Sequence, residues 1–188
     1  GVHKAHKKIL QKGVKKAQEK GYKTIVYTFN EYPNKKHTRI TNQSEKAYIM
    51  EKYGIDYLYL EEFEKVRNYT PENFVKKILI EKLNAKEVLC GFNFTFGKKK
   101  SGDAKLLKSI LEKNGINLEV QKPVLDNELE IISSTNIRKY IKKTNLKKVK
   151  ELLDHNLLIL GKVVHGKQLG RTIGFPTANL KFENKVYP

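Results

Sequence analysis

Cysteine, tryptophan and methionine are almost missing from this 188-residue chain, which has one Cys, no Trp and one Met. A single thiol, Cys90, excludes a disulfide scaffold and predicts a reducing compartment, the cytoplasm. No run of 18 apolar residues occurs, so the sequence offers no membrane-spanning helix. The first residues are polar and basic, without the apolar stretch of a secretory signal. Acidic residues are scarce too: 20 stand against 38 Lys and Arg, leaving a net charge of +18. A lysine-rich solvated surface explains that excess as well as a polyanionic partner does. The basic residues are scattered and no DNA- or RNA-binding signature accompanies them, so neither a nucleic-acid nor a membrane partner is expected. No segment points to a particular oligomeric state.

What is present is a periodic alternation of helix and strand. Ala5, Ile9, Leu10, Val14 and Ala17 share one helical face, and Gly21 ends that helix. Lys23 to Phe29 reads as a buried strand, Ser44 opens a second helix closed by Gly54, and a strand starts at Asp56. Thr70-Pro71-Glu72 is a helix start, with a capping hydroxyl, proline in the first turn and an acid beside the positive dipole end. Lys86–Gly91 is a strand, and Gly102-Asp103 precedes a helix with the stripe Leu106, Leu107, Ile110 and Leu111. Asn117–Leu125 and Leu129–Ser133 read as strands, and Ser134 or Thr135 caps a further helix.

This alternation predicts an α/β fold with a parallel sheet and helices on both faces. A sheet of that kind should open with a strand, and none precedes the first helix, so a first strand is expected to be missing. Character changes near His155-Asn156. Leu157–His165 reads as a strand run, glycines 166, 170 and 174 follow, and no further helix is expected. Residues 1–156 and 157–188 are therefore read as two domains, the second β-rich and incomplete.

Three segments could carry chemistry. His3 and His6, at i and i+3 where a helix begins, combine two imidazoles with the anion-attracting helix start, suited to steadying charge in phosphoryl or nucleotidyl transfer. No third ligand at suitable spacing makes them a metal site. Gly91-Phe-Asn-Phe-Thr-Phe-Gly97 offers Phe92, Phe94 and Phe96 to stack on a flat ring and Asn93 and Thr95 to hydrogen-bond, or else it is a plain hydrophobic turn. Ile132-Ser-Ser-Thr-Asn-Ile-Arg138 gathers Ser133, Ser134, Thr135 and Arg138 at a strand-to-helix junction suited to a polyphosphate.

In this order the motifs resemble the bacterial bifunctional riboflavin kinase/FMN adenylyltransferase (FAD synthetase) family. Its H-x-G-H motif is matched by His3–His6, its G-x-[DN]-F-x-F-G segment by Gly91–Gly97, and its I-S-S-T-x-I-R segment by Ile132–Arg138. Its kinase opening, ending G-F-P-T-A-N, is matched by Gly161–Asn179. The resemblance implies a Rossmann-like nucleotidyltransferase domain followed by the start of a β-barrel riboflavin kinase domain. It implies AMP transfer from ATP to FMN, giving FAD and pyrophosphate, with Mg2+ accompanying ATP.

By the same resemblance, His3, His6 and Arg138 are catalytic, and with Ser133, Ser134 and Thr135 they bind ATP. Asn93, Phe94, Thr95 and Phe96 bind the flavin. Thr177 and Asn179 belong to the kinase ATP and magnesium site, with riboflavin as acceptor. Ala5 stands where the family has glycine, Asn136 where arginine is common, and Thr28–Pro33 is a weak form of T-F-x-P-H-P. The family's kinase glutamate falls beyond residue 188, so this chain alone is not expected to phosphorylate riboflavin. Two other readings stay open: a nucleotidyltransferase of the same superfamily with another phosphate acceptor, and a basic nucleic-acid-binding module.

Overall fold

Short-range signals set most element ends. The computed structural model describes residues 2–31, 38–166, 169–175, 177–181 and 186–188. Gly1, Pro33 and Pro176, with Lys167 and Gln168, therefore lie outside the described residues, as do parts of the Thr28–Pro33 and Gly161–Asn179 motifs.

Helix α1 spans Lys4–Lys20, with His3 as its N-cap and Gly21 left-handed at its end. Strand β1, Ile25–Phe29, pairs in parallel with β2, Tyr57–Glu61. Between them runs α2, Gln43–Lys52, opened by a capping box in which the Asn42 side chain accepts from Glu45 N–H and the Glu45 carboxylate accepts from Asn42 N–H. Asp56 clamps the starts of β1 and β2: its carboxylate accepts from Thr24 N–H at 2.9 Å and Thr24 Oγ1 at 2.8 Å. Those bonds, the backbone one foremost, hold its carboxyl far below the usual range.

A short helix α3, Phe63–Val66, precedes α4, Pro71–Phe74, where Thr70 Oγ1 accepts from Asn73 N–H as the sequence predicts. Helix α4 then widens into a π-helix over Val75–Lys82. Its exit shows the wide spacing, with Leu83 N–H donating to the Ile78 carbonyl at 2.9 Å. Strand β3, Glu87–Gly91, pairs in parallel with β4, Asn117–Gln121, across α5, Ala104–Glu112. Asp103 caps α5 by accepting from Leu106 N–H at 2.9 Å. Lysines 16 and 20 of α1 hold Glu87 of β3, and Lys16 also reaches Glu119 of β4, which straps the helix onto this ladder.

Helices α6, Ser134–Lys142, and α7, Leu146–Leu153, follow. Next come β5, Lys162–Val164, the single turn α8, Leu169–Thr172, and β6, Asn179–Lys181, antiparallel to β5.

The buried side chains form three clusters. The largest joins the π-helix, α5 and both strands of the second ladder through Val75, Ile78, Leu107, Leu111 and Leu118. A second gathers Ile137, Ile141, Val149 and Leu152 of α6 and α7 around Ile40 and Val186. The third sets Leu10 of α1 against Ile49 and Met50 of α2.

Several expectations are corrected. Among the described residues the parallel strands form two separate two-stranded ladders, and β1 and β3 each pair along one edge only. Their other edges flank the cleft described below. Strand β1 begins two residues after Lys23 and is half-buried, with Ile25 exposed. Strand β4 stops at Gln121, because Pro123 lacks the N–H to continue. The strand expected at Leu129–Ser133 is reduced to a bridge between Leu125 and Ile131, since Leu129 takes a left-handed turn. The cap of α6 is Ser133, one residue earlier than expected. Of the run Leu157–His165, only Lys162–Val164 is strand, and α8 is a helix where none was expected.

Candidate functional site

The start of α1 and the start of α6 open onto one cleft. Its volume is about 1140 Å³, and His3, His6, Asn93, Phe94, Ser133, Ser134 and Thr135 all line it. The cleft has two parts. Between the open edges of β1 and β3 it is an apolar trough floored by Ile9 and Leu10 of α1 and Leu79 of the π-helix. Beyond the carboxyl ends of the strands it turns polar, where α/β folds place their ligands.

His3 and His6 lie against each other, ring centroids 3.9 Å apart. His3 is 7% exposed, and its Nδ1 is buried without a partner among the described residues. His6 opens onto the cleft, and its Nδ1 accepts from His3 N–H at 3.4 Å, which leaves Nε2 to carry the proton. Desolvation, with repulsion from His6, lowers the His3 pKa to about 3. Desolvation lowers that of His6 to about 4, with Lys46 among the cations that add to it. At neutral pH the pair is uncharged and offers N–H donors rather than positive charge.

At the other end, Ser133 Oγ accepts from Asn136 N–H at 3.3 Å, which leaves its own proton free to donate. Ser134 and Thr135 follow in the first turn of α6, at the positive end of the helix dipole. Lys148 holds the loop before them. It is 8% exposed and pairs with Asp126 at 3.1 Å, Glu128 at 2.7 Å and Glu151 at 3.4 Å. The hydrogen bond to Glu128 and those to its other partners raise the Lys148 pKa. Asp126 in turn accepts from the N–H groups of Glu128 and Glu130, both at 2.9 Å, which fixes the turn leading into Ser133.

Not every predicted residue arrives at the cleft. The Arg138 side chain reaches across to residue 38, Nε donating to the Thr38 carbonyl at 2.7 Å, and Arg138 is not among the lining residues. Phe96 sits in the largest core cluster and stacks on Phe94 at 5.6 Å. Gly102 makes that possible, since a Cβ there would come within 2.6 Å of the Phe96 ring. Thr95 is exposed and outside the cleft. Phe92, one of the three phenylalanines offered for stacking though not among the flavin residues the resemblance implies, lines the cleft and is exposed. In the second part of the chain Thr177 and Asn179 are both exposed, and the Asn179 amide lies where a Cβ on Gly166 would stand.

Sequence reasoning also missed Arg39, Thr41 and Lys46, which line the polar end. A start at Asn42-x-x-Glu45 was the signal that would have found them, but the helix was expected to open at Ser44.

Comparison with known proteins gives this geometry a family. The family model for FAD synthetase matches residues 1–136. The chain belongs to the FAD synthetase family. A second family model, riboflavin kinase, matches residues 153–188. Curated relatives include a bifunctional riboflavin kinase/FMN adenylyltransferase of Buchnera aphidicola, 33% identical over 99% of this chain and 62% of the relative. The protein of the same description from Escherichia coli K12 is 32% identical over 100% of this chain and 62% of the relative. The chain therefore spans about three fifths of the length of these relatives. Among solved structures, a macrolide-efflux protein from Streptococcus pneumoniae superposes with a TM-score of 0.82 at 34% identity, over 100% of this chain and 64% of that one. No described helix of this FAD synthetase family member is long and apolar enough to cross a membrane.

Proposed function

We propose that this protein transfers AMP from ATP to the phosphate of FMN, giving FAD and pyrophosphate. The observation that carries this is the single cleft joining the histidine pair of α1 to the hydroxyls at the start of α6, beside Phe92 and Phe94. A phosphate oxygen of FMN attacks the α-phosphorus of ATP in line, the bond to the bridging oxygen breaks, and pyrophosphate leaves. No covalent intermediate with the protein is needed, so positioning and electrostatic stabilisation do the work. His6 Nε2–H and the His3 imidazole donate to the oxygens on which charge builds. Ser133, Ser134 and Thr135 hold the departing phosphates. Arg138 acts from behind them by bracing α6 against the 38–39 segment. Asn93, Phe94 and the exposed Phe92 face the isoalloxazine ring, Thr95 stands outside that wall, and Phe96 supports Phe94 from the core.

Magnesium would enter on the phosphate oxygens of ATP. We assign residues 1–156 to the adenylyltransferase and 157–188 to the opening of a riboflavin kinase barrel, where Thr177 and Asn179 would meet ATP and magnesium. One more parallel strand between β1 and β3 would join the two ladders into a Rossmann-like sheet. Dependence on ATP and FMN fits a cytoplasmic reaction.

The test is FAD formation from ATP, Mg2+ and FMN by the intact protein, with His6→Ala beside it. Loss of this donor should lower kcat roughly 100-fold or more. An intact protein that adenylylates another phosphate acceptor but not FMN would overturn the flavin assignment.

A further inference from the structure

The wall of the cleft facing the histidines carries charge that the motifs do not account for. Glu45, fully buried, turns inward: its Oε2 accepts from Asn42 N–H at 2.9 Å and its Oε1 from Leu160 N–H at 2.8 Å. The next residue, Lys46, is thereby carried to the cleft on the first turn of α2, with the neighbouring acid already engaged elsewhere. Lys46 Nζ lies 3.4 Å from Thr28 Oγ1, near the carboxyl end of β1. Arg39 lines the same wall, its guanidinium donating to the Asn30 carbonyl at 2.6 Å.

Neither cation has a carboxylate within ion-pair distance among the described residues, whereas Lys7, Lys16, Lys20, Lys82 and Lys148 all do. Burial, and then Arg39, lower the Lys46 pKa, as expected of a cation held without a counter-ion. Thr41, 3% exposed, also lines the cleft, and its buried Oγ1 has no hydrogen-bond partner among the described residues. Two mutually repelling cations and an unsatisfied hydroxyl on one wall make a preformed complement to a multiply charged anion.

We propose that Lys46, with Arg39 beside it, clamps the polyphosphate of the bound nucleotide opposite Ser133–Thr135, and that it carries the positive charge at the histidine end of the cleft. The choice of a nucleotide polyphosphate rests on the reading above; the anion site itself rests on the wall alone. When the anion binds, Lys46 donates to its oxygens and the repulsion between Lys46 and Arg39 is relieved. Lys46 is thus a binding residue for the nucleotide, and the neutral imidazoles across from it are free to act as donors to the reacting oxygens.

The test uses the intact protein, Lys46→Gln and Lys46→Arg, titrated calorimetrically with inorganic tripolyphosphate and, separately, with adenosine. Lys46→Gln should weaken tripolyphosphate binding about 10- to 100-fold, leave adenosine binding unchanged and leave the Tm of the free protein equal or higher. Lys46→Arg should keep most of the tripolyphosphate affinity. Wild-type affinity for tripolyphosphate in Lys46→Gln overturns the proposal. So does a variant that loses tripolyphosphate and adenosine together with a fallen Tm, because Lys46 would then be structural. A wild-type protein that binds neither probe overturns the clamp and the nucleotide reading together. Lys46-dependent tripolyphosphate binding in a protein that makes no FAD upholds the clamp and removes only the flavin assignment.

Discussion

Residues 2–156 and 157–188 use the same kinds of side chain to opposite effect. In the first region Ile40, Leu107, Leu111, Ile137 and Ile141 are completely shielded from water. In the second, Val163, Ile173 and Phe175 are 66%, 70% and 75% exposed. Two strands of three residues, β5 and β6, have no second layer to cover them among the described residues. The second region is held at its ends instead. Leu157 and Leu158 pack against two of the first region's clusters, Leu160 donates to buried Glu45, and Val186 is buried in the cluster of α6 and α7. Apolar sequence therefore does not by itself make a core; a second layer within reach does. Stability should reside in the first region.

That contrast can be broken or sharpened by measurement. Leu107→Ala, at the centre of the largest cluster, should lower unfolding free energy by about 2–5 kcal/mol in urea titration. A loss under about 1 kcal/mol would show that this cluster is not the seat of stability. Gly102→Ala drives a methyl into the Phe96 ring and should cost about 1–3 kcal/mol, with weaker FMN binding as Phe94 shifts.

Acid should act on the first region through its histidines. Their folded pKa values, about 3 and 4, lie below the ordinary 6.5, so the unfolded chain binds more protons between those limits. Their neutral state contributes fully above pH 6.5, and stability falls as pH drops below it. For buried His3 the slope is at most about 1.4 kcal/mol per pH unit; for His6, which opens to solvent, it is smaller. His3→Asn should flatten the curve, and an unchanged curve would contradict the burial of this imidazole. Smallest of all, Phe175→Ser should change stability by less than about 0.5 kcal/mol; a larger loss would mean the exposed face is already covered.

Legibility in the sequence followed the range of the cause. The cap Thr70, the helix start after Gly102-Asp103 and the stop at Gly21 were readable because each signal acts within four residues. The pairing of His3 with Ser133 across one cleft was inferable only through the family's motifs, since 130 residues separate them. Motif letters did not say which way a side chain faces: Phe96 turns into the core and Arg138 toward Thr38. The π-helix over Val75–Lys82 left no trace in the sequence, where the apolar residues Phe74, Ile78, Leu79 and Leu83 fit an ordinary helix. The Asn42-x-x-Glu45 start could have placed Lys46 on the first turn of α2, but not shown that Glu45 is engaged with a backbone N–H 115 residues away.

The Asp56 clamp at the starts of β1 and β2 has a consequence for hydrogen exchange. Thr24 N–H is bonded to a carboxylate held far below its usual range, so its protection should outlast, as the solution is acidified, that of amides bonded to ordinary carboxylates.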